Sequence, residues 1–565
     1  LLAFFYFLHR FLSKIKEKIH NTIHFVNYLK ILKALYLKRH VKQEKLIVGG
    51  KGMVVKQSTK PLTGQEYLES LKDSREIWLH GERVKDVTTH PAFRNSARSI
   101  SRLYDAMHDP QYKDILTCET DTGSGGYTHK YFRAARSADD LIQGRDAIVA
   151  WARLTYGQMG RTPDYKASFL ATLGGNPEYY SPYQENAKRW YKEAQERNWF
   201  FNHAIVNPPV DRHKDVHEVG DVFIQVERET DEGLIVSGSK MVATGSAITN
   251  YNFVGTYGLP IKDKKFAVVF IAPMDAPGVK LISRASYEMT SAIMGSPFDY
   301  PLSSRFDEND AVLVFEEALI PWENILIYED MQKTTSFFVE SGFINRFTFQ
   351  GVTRLAVKLD FIIGVLLKAL KTAGTDQFRG VQVHIGEIIA WRHMFWSLSD
   401  AMALNPEKKE NGIVIPNLSG GLAYRVFLQE GWPKIKGIIQ QLVAGNLIVQ
   451  PSSARDFLNE EFRPTLDKLY RGSNGIEALE KIKTIKLLWD AIGTEFGGRS
   501  ELYERNYAGN HEDIRLQTLF GAQGSGKTDE FIAFAEQCMA DYDLTGWTDP
   551  TWVNPDDVNY FTNKK

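Results

Sequence analysis

Between Val222 and Phe315 the chain carries five short runs of β-branched, aromatic and aliphatic residues, separated by Gly, Pro and Asp. They are Val222–Val226, Leu234–Val236, Phe266–Ile271, Val279–Ile282 and Ala311–Phe315. On both sides of this block the apolar pattern has a helical period. Upstream, Ile100, Leu103, Tyr104 and Met107 fall on one helix face. Downstream, Leu355, Leu359, Ile362, Ile363, Leu366 and Leu370 form a long stripe. Lys358, Asp360 and Lys368 interrupt it, which marks a core helix rather than a membrane span. Further amphipathic stretches run over 381–402, 433–447 and 475–492, the pattern of a bundle. Helices, then clustered strands, then long helices exclude a doubly wound sheet. They predict an α+β chain with a compact antiparallel sheet or barrel at its centre. With 565 residues there is too much chain for one ordinary core.

A net charge of -1 conceals a second division. Residues 1–52 hold 11 Lys and Arg against two Glu, and the remainder holds 57 basic against 67 acidic residues. The first piece is therefore +9 and the second -10. The run Gly49-Gly50-Lys51-Gly52 before Met53 back-translates to a purine-rich ribosome-binding sequence. Residues 1–52 are accordingly expected to be a non-native leader. The remaining organisation is expected as a helical domain over 53–201, a β-barrel domain over 202–330, a helical bundle over 331–546 and a surface tail over 547–565. An acidic body without basic clusters disfavours nucleic acid as a partner. No apolar run is long enough for a membrane span. Two cysteines, Cys118 and Cys538, make no disulfide scaffold and fit a reducing, cytoplasmic setting.

The most conspicuous motif is Gly521 to Thr528, which satisfies G-x-x-x-x-G-K-T. A phosphate-binding loop follows a buried strand. The preceding Ile514–Phe520 reads as helix, so a glycine-rich turn between helices is expected, with an ATP-binding module as the alternative of another class. His213 and His217 lack the further ligands a zinc site needs, and no metal is expected. Two quieter segments remain. Gly160-Arg161-Thr162-Pro163-Asp164-Tyr165 sets a cation and a phenol four residues apart in a turn that opens a helix. Asn202-His203 through Arg212 places a histidine where helices give way to strands, a favoured position for a ligand pocket.

These segments belong to a longer likeness. The runs GERVKDVTTHPAFRNSARSISRLYDAMHDP, DTGSGGYTHKYF, GQMGRTPDYKASF, FNHAIVNPPVDRH, SGSKMVATGSAITNYNFVG and LLWDAIGTEFGGRSELYERNYAG, with others in one register over 59–550, resemble the oxygenase components of 4-hydroxyphenylacetate 3-monooxygenases. The resemblance implies an acyl-CoA dehydrogenase-like fold: a helical N-terminal domain, a central β-barrel and a C-terminal four-helix bundle, assembled as a homotetramer. It implies FAD, used as diffusible FADH2 from a separate NADH-dependent flavin reductase, with dioxygen as co-substrate. A C4a-hydroperoxyflavin would hydroxylate a small phenolic acid ortho to its hydroxyl, converting 4-hydroxyphenylacetate to 3,4-dihydroxyphenylacetate. Another phenol or a halophenol in the same fold is the alternative. Radical dehydration of 4-hydroxybutyryl-CoA, a reaction of the same superfamily, needs an iron–sulfur cluster that two cysteines cannot hold. By resemblance, Arg161, Tyr165 and His203 surround the phenol hydroxyl, with His203 expected to titrate near working pH. Pro209, Val210, Asp211, Arg212 and Thr244 would hold the flavin, with Gly498, Arg499 and Ser500 as a further contact. The turn from Gly255 to Lys265, with Lys262, Lys264 and Lys265, reads as a substrate loop whose charge favours a carboxylate.

Overall fold

The computed structural model describes residues 59–551, except 212, 215, 258–260, 507–508, 545 and 550. The basic leader, Arg212 and nearly all of the 547–565 tail lie outside the described residues. The elements are mainly helical up to Arg197, strand-rich from Phe201 to Tyr328 and helical again from Met331.

Among the described residues the two larger sheets, of six and four strands, are open and do not close into the expected barrel, and three two-stranded pairs stand apart from them. The first contains β1 (Glu76–Leu79), β2 (Glu82–Val84), β4 (Gln225–Glu229), β5 (Gly233–Lys240), β8 (Val279–Ser283) and β9 (Ala311–Pro321), in the order β2-β1-β8-β9-β5-β4. The second contains β3 (Phe201–Ala204), β6 (Tyr251–Val254), β7 (Val268–Pro273) and β10 (Ile325–Tyr328), in the order β10-β7-β6-β3. Phe270 on β7 meets Phe315 on β9 edge to face, with centroids 5.4 Å apart, so the sheets share a core. Strand β9 is long because it is bulged. Its register slips between Phe315 and Ala318, Glu317 takes φ 48°, and Glu316 and Glu317 both reach solvent. Strand β1 pairs in parallel with β8, some 200 residues away, and carries the N-terminal part of the chain onto the sheet.

Three helices matter most to the site. Helix α1 (Ala138–Leu154) leads through a tight turn into α2 (Pro163–Gly175), which is buried on nearly every side. Helix α3 (Phe343–Ala373) contains the long apolar stripe, and all six of its residues are buried. Glycines with positive φ, Gly342 and Gly374, bound α3 at its two ends. Around it pack α4 (Arg379–Leu404), α5 (Leu418–Val443) and α6 (Ala478–Ile492). The three charges that interrupt the stripe are each paired. Lys358 pairs with Glu504, Asp360 with Arg392 and Lys368 with Glu480. Helices α7 (Glu495–Asn506), α8 (His511–Gly524) and α9 (Lys527–Met539) follow. Residues 521–524 are the last turn of α8, and Gly526 at φ 74° begins α9. The segment is a helix–turn–helix with no strand before it, so the phosphate-loop reading falls. Lys527 is bonded to Glu530 on its own helix.

Phe169 ties α2 to the second sheet. Its ring stacks on Phe253 at 4.1 Å and meets Phe201 edge-on at 5.5 Å. Helix α2, strand β3 and the start of α3 thus converge on one point.

Candidate active site

That point begins with the turn between α1 and α2. Gly157 has φ 68°, and a Cβ there would lie 2.7 Å from Lys358 Cα, so only glycine lets the turn rest on α3. A Cβ on Gly160 would lie 2.2 Å from the Tyr503 hydroxyl. Two backbone donors are fixed by one carboxylate: Gly160 N–H and Arg161 N–H donate to the two oxygens of Glu308, at 3.0 and 2.5 Å. Thr162 is extended (φ -64°, ψ 164°) and Pro163 occupies the first helical position, where its missing N–H costs nothing. Tyr165 then falls in the first turn of α2. The Arg161 guanidinium donates to Tyr503 Oη at 2.6 Å and lies over the Tyr165 ring, 3.9 Å from its centroid.

His203 reaches the same place from β3, which pairs in parallel with β6 through His203 and Phe253. Its ring is 5.3 Å from that of Tyr165 and 5.8 Å from that of Phe343. Arg161, Tyr165 and His203 are 4, 4 and 8% exposed, and all three line one cavity of about 610 Å³. The rest of its wall is mostly apolar: Ile205, Val206, Met241, Val242, Phe338, Phe343 and Phe347. Tyr257, Asn506, Gly509, Asn510 and His511 close it.

Burial decides the protonation of the two ionisable partners. It raises the Tyr165 phenol against the lowering effect of Arg161, so the group stays protonated and can donate. It lowers His203 well below the usual imidazole range, and the neighbouring Lys166 and Arg161 add to that. The expected titration near working pH is therefore corrected: His203 is a neutral imidazole at pH 7.

The cofactor candidates fall into three groups. Pro209, Val210 and Asp211 lie on a partly exposed segment beyond the cavity wall residues Ile205 and Val206. Thr244 is buried just past Val242, whose φ of 58° is rare for a β-branched residue and marks strained backbone at the cavity wall. Its hydroxyl donates to Asp310 Oδ1 at 2.6 Å and its N–H to Val242 O at 2.9 Å. A carboxylate only accepts, so the Thr244 hydroxyl gives its proton to Asp310. Arg499 pairs with Asp310 at 2.9 Å and Glu308 at 3.3 Å in the same chain, Ser500 accepts from Lys358, and a Cβ on Gly498 would meet open space. None of these residues lines the cavity itself.

Sequence reasoning missed the frame that holds the site. Burial works against the Asp310 charge, but Arg499, Arg284 and the Thr244 hydroxyl hold its carboxyl well below the usual range. Arg284 also bonds Asp307 at 2.7 Å. The signal was the acidic run Asp307-Glu308-Asn309-Asp310 directly before a buried strand, where charge has no place unless it is paired. The turn expected to cover the substrate contributes Tyr257 to the cavity, while Gly258, Leu259 and Pro260 lie outside the described residues. Lys262, Lys264 and Lys265 are exposed and do not line the cavity; Lys264 pairs with Glu329. Among the described residues no group of His, Cys, Asp and Glu is placed to hold a metal. Nor is any helix long and apolar enough to cross a membrane.

Two family models match the chain: "4-hydroxyphenylacetate 3-hydroxylase N terminal" over residues 63–327 and "4-hydroxyphenylacetate 3-hydroxylase C terminal" over 334–536. The chain is 58% identical over 504 residues to the oxygenase component of a 4-nitrophenol 2-monooxygenase from a Rhodococcus species, covering 89% of this chain and 97% of that protein. It is 57% identical, with the same coverage, to the 4-hydroxyphenylacetate 3-monooxygenase oxygenase component of Pseudomonas aeruginosa. Among solved structures, an oxygenase component of 4-hydroxyphenylacetate 3-monooxygenase complexed with FAD and 4-hydroxyphenylacetate superposes with a TM-score of 0.79 at 29% identity, covering 85% of this chain and 99% of that one.

Proposed function

The chain belongs to the 4-hydroxyphenylacetate 3-hydroxylase family, and from that premise we propose that it is the oxygenase component of a two-component flavin monooxygenase that hydroxylates 4-hydroxyphenylacetate ortho to its phenol. The observation that carries this is the meeting of Arg161, Tyr165 and His203 on one wall of an apolar cavity large enough for more than a single phenol ring.

The residues fit reduced FAD. The apolar residues Val206, Met241 and Val242 offer a wall for a planar ring, and the Thr244 hydroxyl, its proton committed to Asp310, offers an acceptor for a ring N–H. Pro209, Val210 and Asp211 would flank the cofactor, and Gly498, Arg499 and Ser500 would support it through the acidic loop. Reduced FAD, when bound, supplies the activation of dioxygen: one atom goes to the ring carbon ortho to the hydroxyl and the other leaves as water. The protein's own part is positioning. Arg161 favours phenolate character at the substrate oxygen, which makes the ring more nucleophilic. Tyr165 donates a hydrogen bond to that oxygen. Phe338, Phe343 and Phe347 hold the ring and exclude water. Reduced flavin would come from an NADH-dependent reductase. Free cysteines at 118 and 538 fit a cytoplasmic setting. A homotetramer is the proposed assembly, supported by α9, which buries none of its residues and exposes Phe531, Ile532 and Phe534.

A second reading has its own support. Arg161 is the one permanently charged side chain among the described residues of the cavity wall, so no second cation there is set to take a carboxylate. A phenol with a neutral tail, such as 4-nitrophenol, fits that wall. The test supplies FAD, NADH, a flavin reductase and either phenol, and measures catechol against hydrogen peroxide. Hydroxylation of 4-hydroxyphenylacetate coupled to NADH use is expected. Peroxide without product from that acid, with product from 4-nitrophenol, selects the second reading, and His203→Ala turning over as well as the parent refutes the site.

A further inference from the structure

One polar residue of the cavity wall has no task in the chemistry above. Tyr257 stands at the far end of an aromatic row from the phenol-binding residues. Its ring lies 4.7 Å from that of Phe338, Phe338 lies 5.3 Å from Phe347, and Phe347 lies 6.3 Å from Tyr165, each between centroids. All four line the cavity. A phenol whose hydroxyl meets Tyr165 and whose ring lies along this row presents its para substituent toward Tyr257. The residue is anchored on both sides. Its N–H donates to Ile205 O at 3.2 Å, and the Thr256 hydroxyl before it lies 3.3 Å from Lys240 Nζ. Its hydroxyl reaches the bundle, where Gln517 of α8 donates to it through Nε2 at 2.8 Å. Arg425 of α5 bonds the same hydroxyl and also donates to Gln517 Oε1 at 2.6 Å. This corner belongs to the cavity wall: a Cβ on Gly509, a lining residue, would stand 3.0 Å from the Arg425 guanidinium.

The direction of these bonds is fixed by chemistry. A guanidinium has donors and no lone pair, so the Gln517 atom facing Arg425 is the oxygen. The amide nitrogen then faces Tyr257, and it too only donates. Burial lowers Arg425 from the usual guanidinium range, but that range lies so far above neutrality that the charge stays at pH 7. The Tyr257 oxygen is thus the acceptor in both contacts. Its hydroxyl also carries one proton, and no described residue takes it. We propose that Arg425 and Gln517 are positioning residues that fix Tyr257 as a hydrogen-bond donor to the tail of the bound phenol, so that the site selects para substituents ending in an acceptor oxygen, as carboxylate and nitro groups do. This rests on the phenol-hydroxylase reading and adds the class of tail. It gives the wall a way to hold an acceptor tail with no second cation lining the cavity. The two donors that Tyr257 accepts polarise its O–H and strengthen the bond it gives.

The test is the assay with FAD, NADH and a flavin reductase, run on 4-hydroxyphenylacetate and on 4-ethylphenol, whose tail has no acceptor. The readout is selectivity, the ratio of the two kcat/KM values, so ring reactivity cancels when a variant is compared with the parent. Tyr257→Phe removes the proton and is expected to lower selectivity about tenfold. Gln517→Glu replaces a donor by an acceptor that captures the Tyr257 proton, and a similar fall of about tenfold is expected. On a Tyr257→Phe background, Gln517→Glu is expected to add less than about twofold, because its effect runs through the hydroxyl. Where the parent takes 4-nitrophenol and not the acid, the ratio is read with 4-nitrophenol, and a fall of about fivefold is expected for an uncharged acceptor. The proposal is overturned if the parent does not prefer the acceptor tail, or if Tyr257→Phe keeps parental selectivity. It is also overturned if the full Gln517→Glu fall persists on the Tyr257→Phe background, which would make it a direct charge effect. Should Gln517→Glu not fold, Tyr257→Phe decides alone, a parental ratio overturning the proposal and the expected fall upholding it. A parent that yields peroxide and no catechol from any of these phenols counts against the hydroxylase reading instead, so the two failures are distinguishable.

Discussion

Glu308→Gln isolates the frame from the chemistry. The carboxylate takes Arg161 N–H on Oε1 and Gly160 N–H on Oε2, and Arg499 also reaches Oε2. An amide has one acceptor oxygen. Whichever way it turns, its NH2 faces a backbone N–H, and one buried donor is left unsatisfied. The loss of a charge-assisted bond is about 1.5–3 kcal/mol and the stranded donor about 1–3 kcal/mol more. Roughly 2.5–6 kcal/mol of local stability in the Gly160–Arg161 turn is therefore at stake. Arg161 is aimed by that turn, and a displacement of about 1 Å in a positioning group costs about 10²-fold in rate. The expected result is a fall in kcat/KM for the phenol of about 10²–10³, with more NADH consumption ending in peroxide. The melting temperature should fall by only about 2–6 °C, because the unfolding entropy of a chain this long is large. Steady-state kinetics with saturating reductase and a calorimetric scan measure both. A variant within threefold of the parent in kcat/KM, with the same coupling, would show that the turn holds its shape without this carboxylate.

The buried triad behind the site makes a stability prediction. Glu504→Ala strands Arg354 and Lys358, which lie within 2.5 and 2.8 Å of its carboxylate, and a loss of about 3–5 kcal/mol is expected in urea unfolding. His129 makes a pH prediction. Burial, aided by Lys130, pushes its imidazole down to about 3. The unfolded chain binds that proton below about pH 6.5 while the folded chain does not, so this stability is complete above pH 7 and declines as pH falls. The decline is about 2 kcal/mol by pH 5, and His129→Asn should show a correspondingly flatter unfolding free energy against pH. Lys527→Ala should leave kcat/KM within about twofold of the parent, since an exposed pair of this kind contributes at most about 1 kcal/mol, and a larger loss would revive a nucleotide role for that turn.

The parts of this structure that were legible in the sequence are those set by local pattern. The α3 stripe reads directly because one face of a long helix must be apolar. The Pro163 start of α2 reads from a residue that suits only a first turn. Strand β3 was invisible for the opposite reason: Phe201, Asn202, His203 and Ala204 are all buried, so nothing alternates. Strand β1 is held in the sheet by pairing with β8, some 200 residues away, and no local signal reports that. Strand density pointed to a compact sheet or barrel and the resemblance to a barrel, but density does not distinguish one closed sheet from two open ones. At the site, the motif residues that line the cavity were identified, whereas those that hold them were not. Glu308, Asp310, Arg284 and Tyr503 act through partners more than 20 residues away, and only the packed chain brings those partners together.

This frame also bears on how an acidic body could receive an anion. Residues 53–565 carry -10, and no field of that sign draws in a carboxylate or phenolate. Attraction has to be local. Behind the cavity wall Arg499 pairs with Glu308 and Asp310, Arg284 with Asp307 and Asp310, and Arg354 and Lys358 with Glu504. Glu308, by contrast, takes the backbone amide of Arg161, while the guanidinium reaches Tyr503 and overlies Tyr165. The same carboxylate that fixes Arg161 in place therefore leaves its charge directed at phenolic groups. Had Glu308 paired with the guanidinium instead, the turn would be as well held, but the cavity wall would have lost its permanent positive charge. Positioning through the main chain lets an acidic protein keep a cation at the one place where a phenolate is to form.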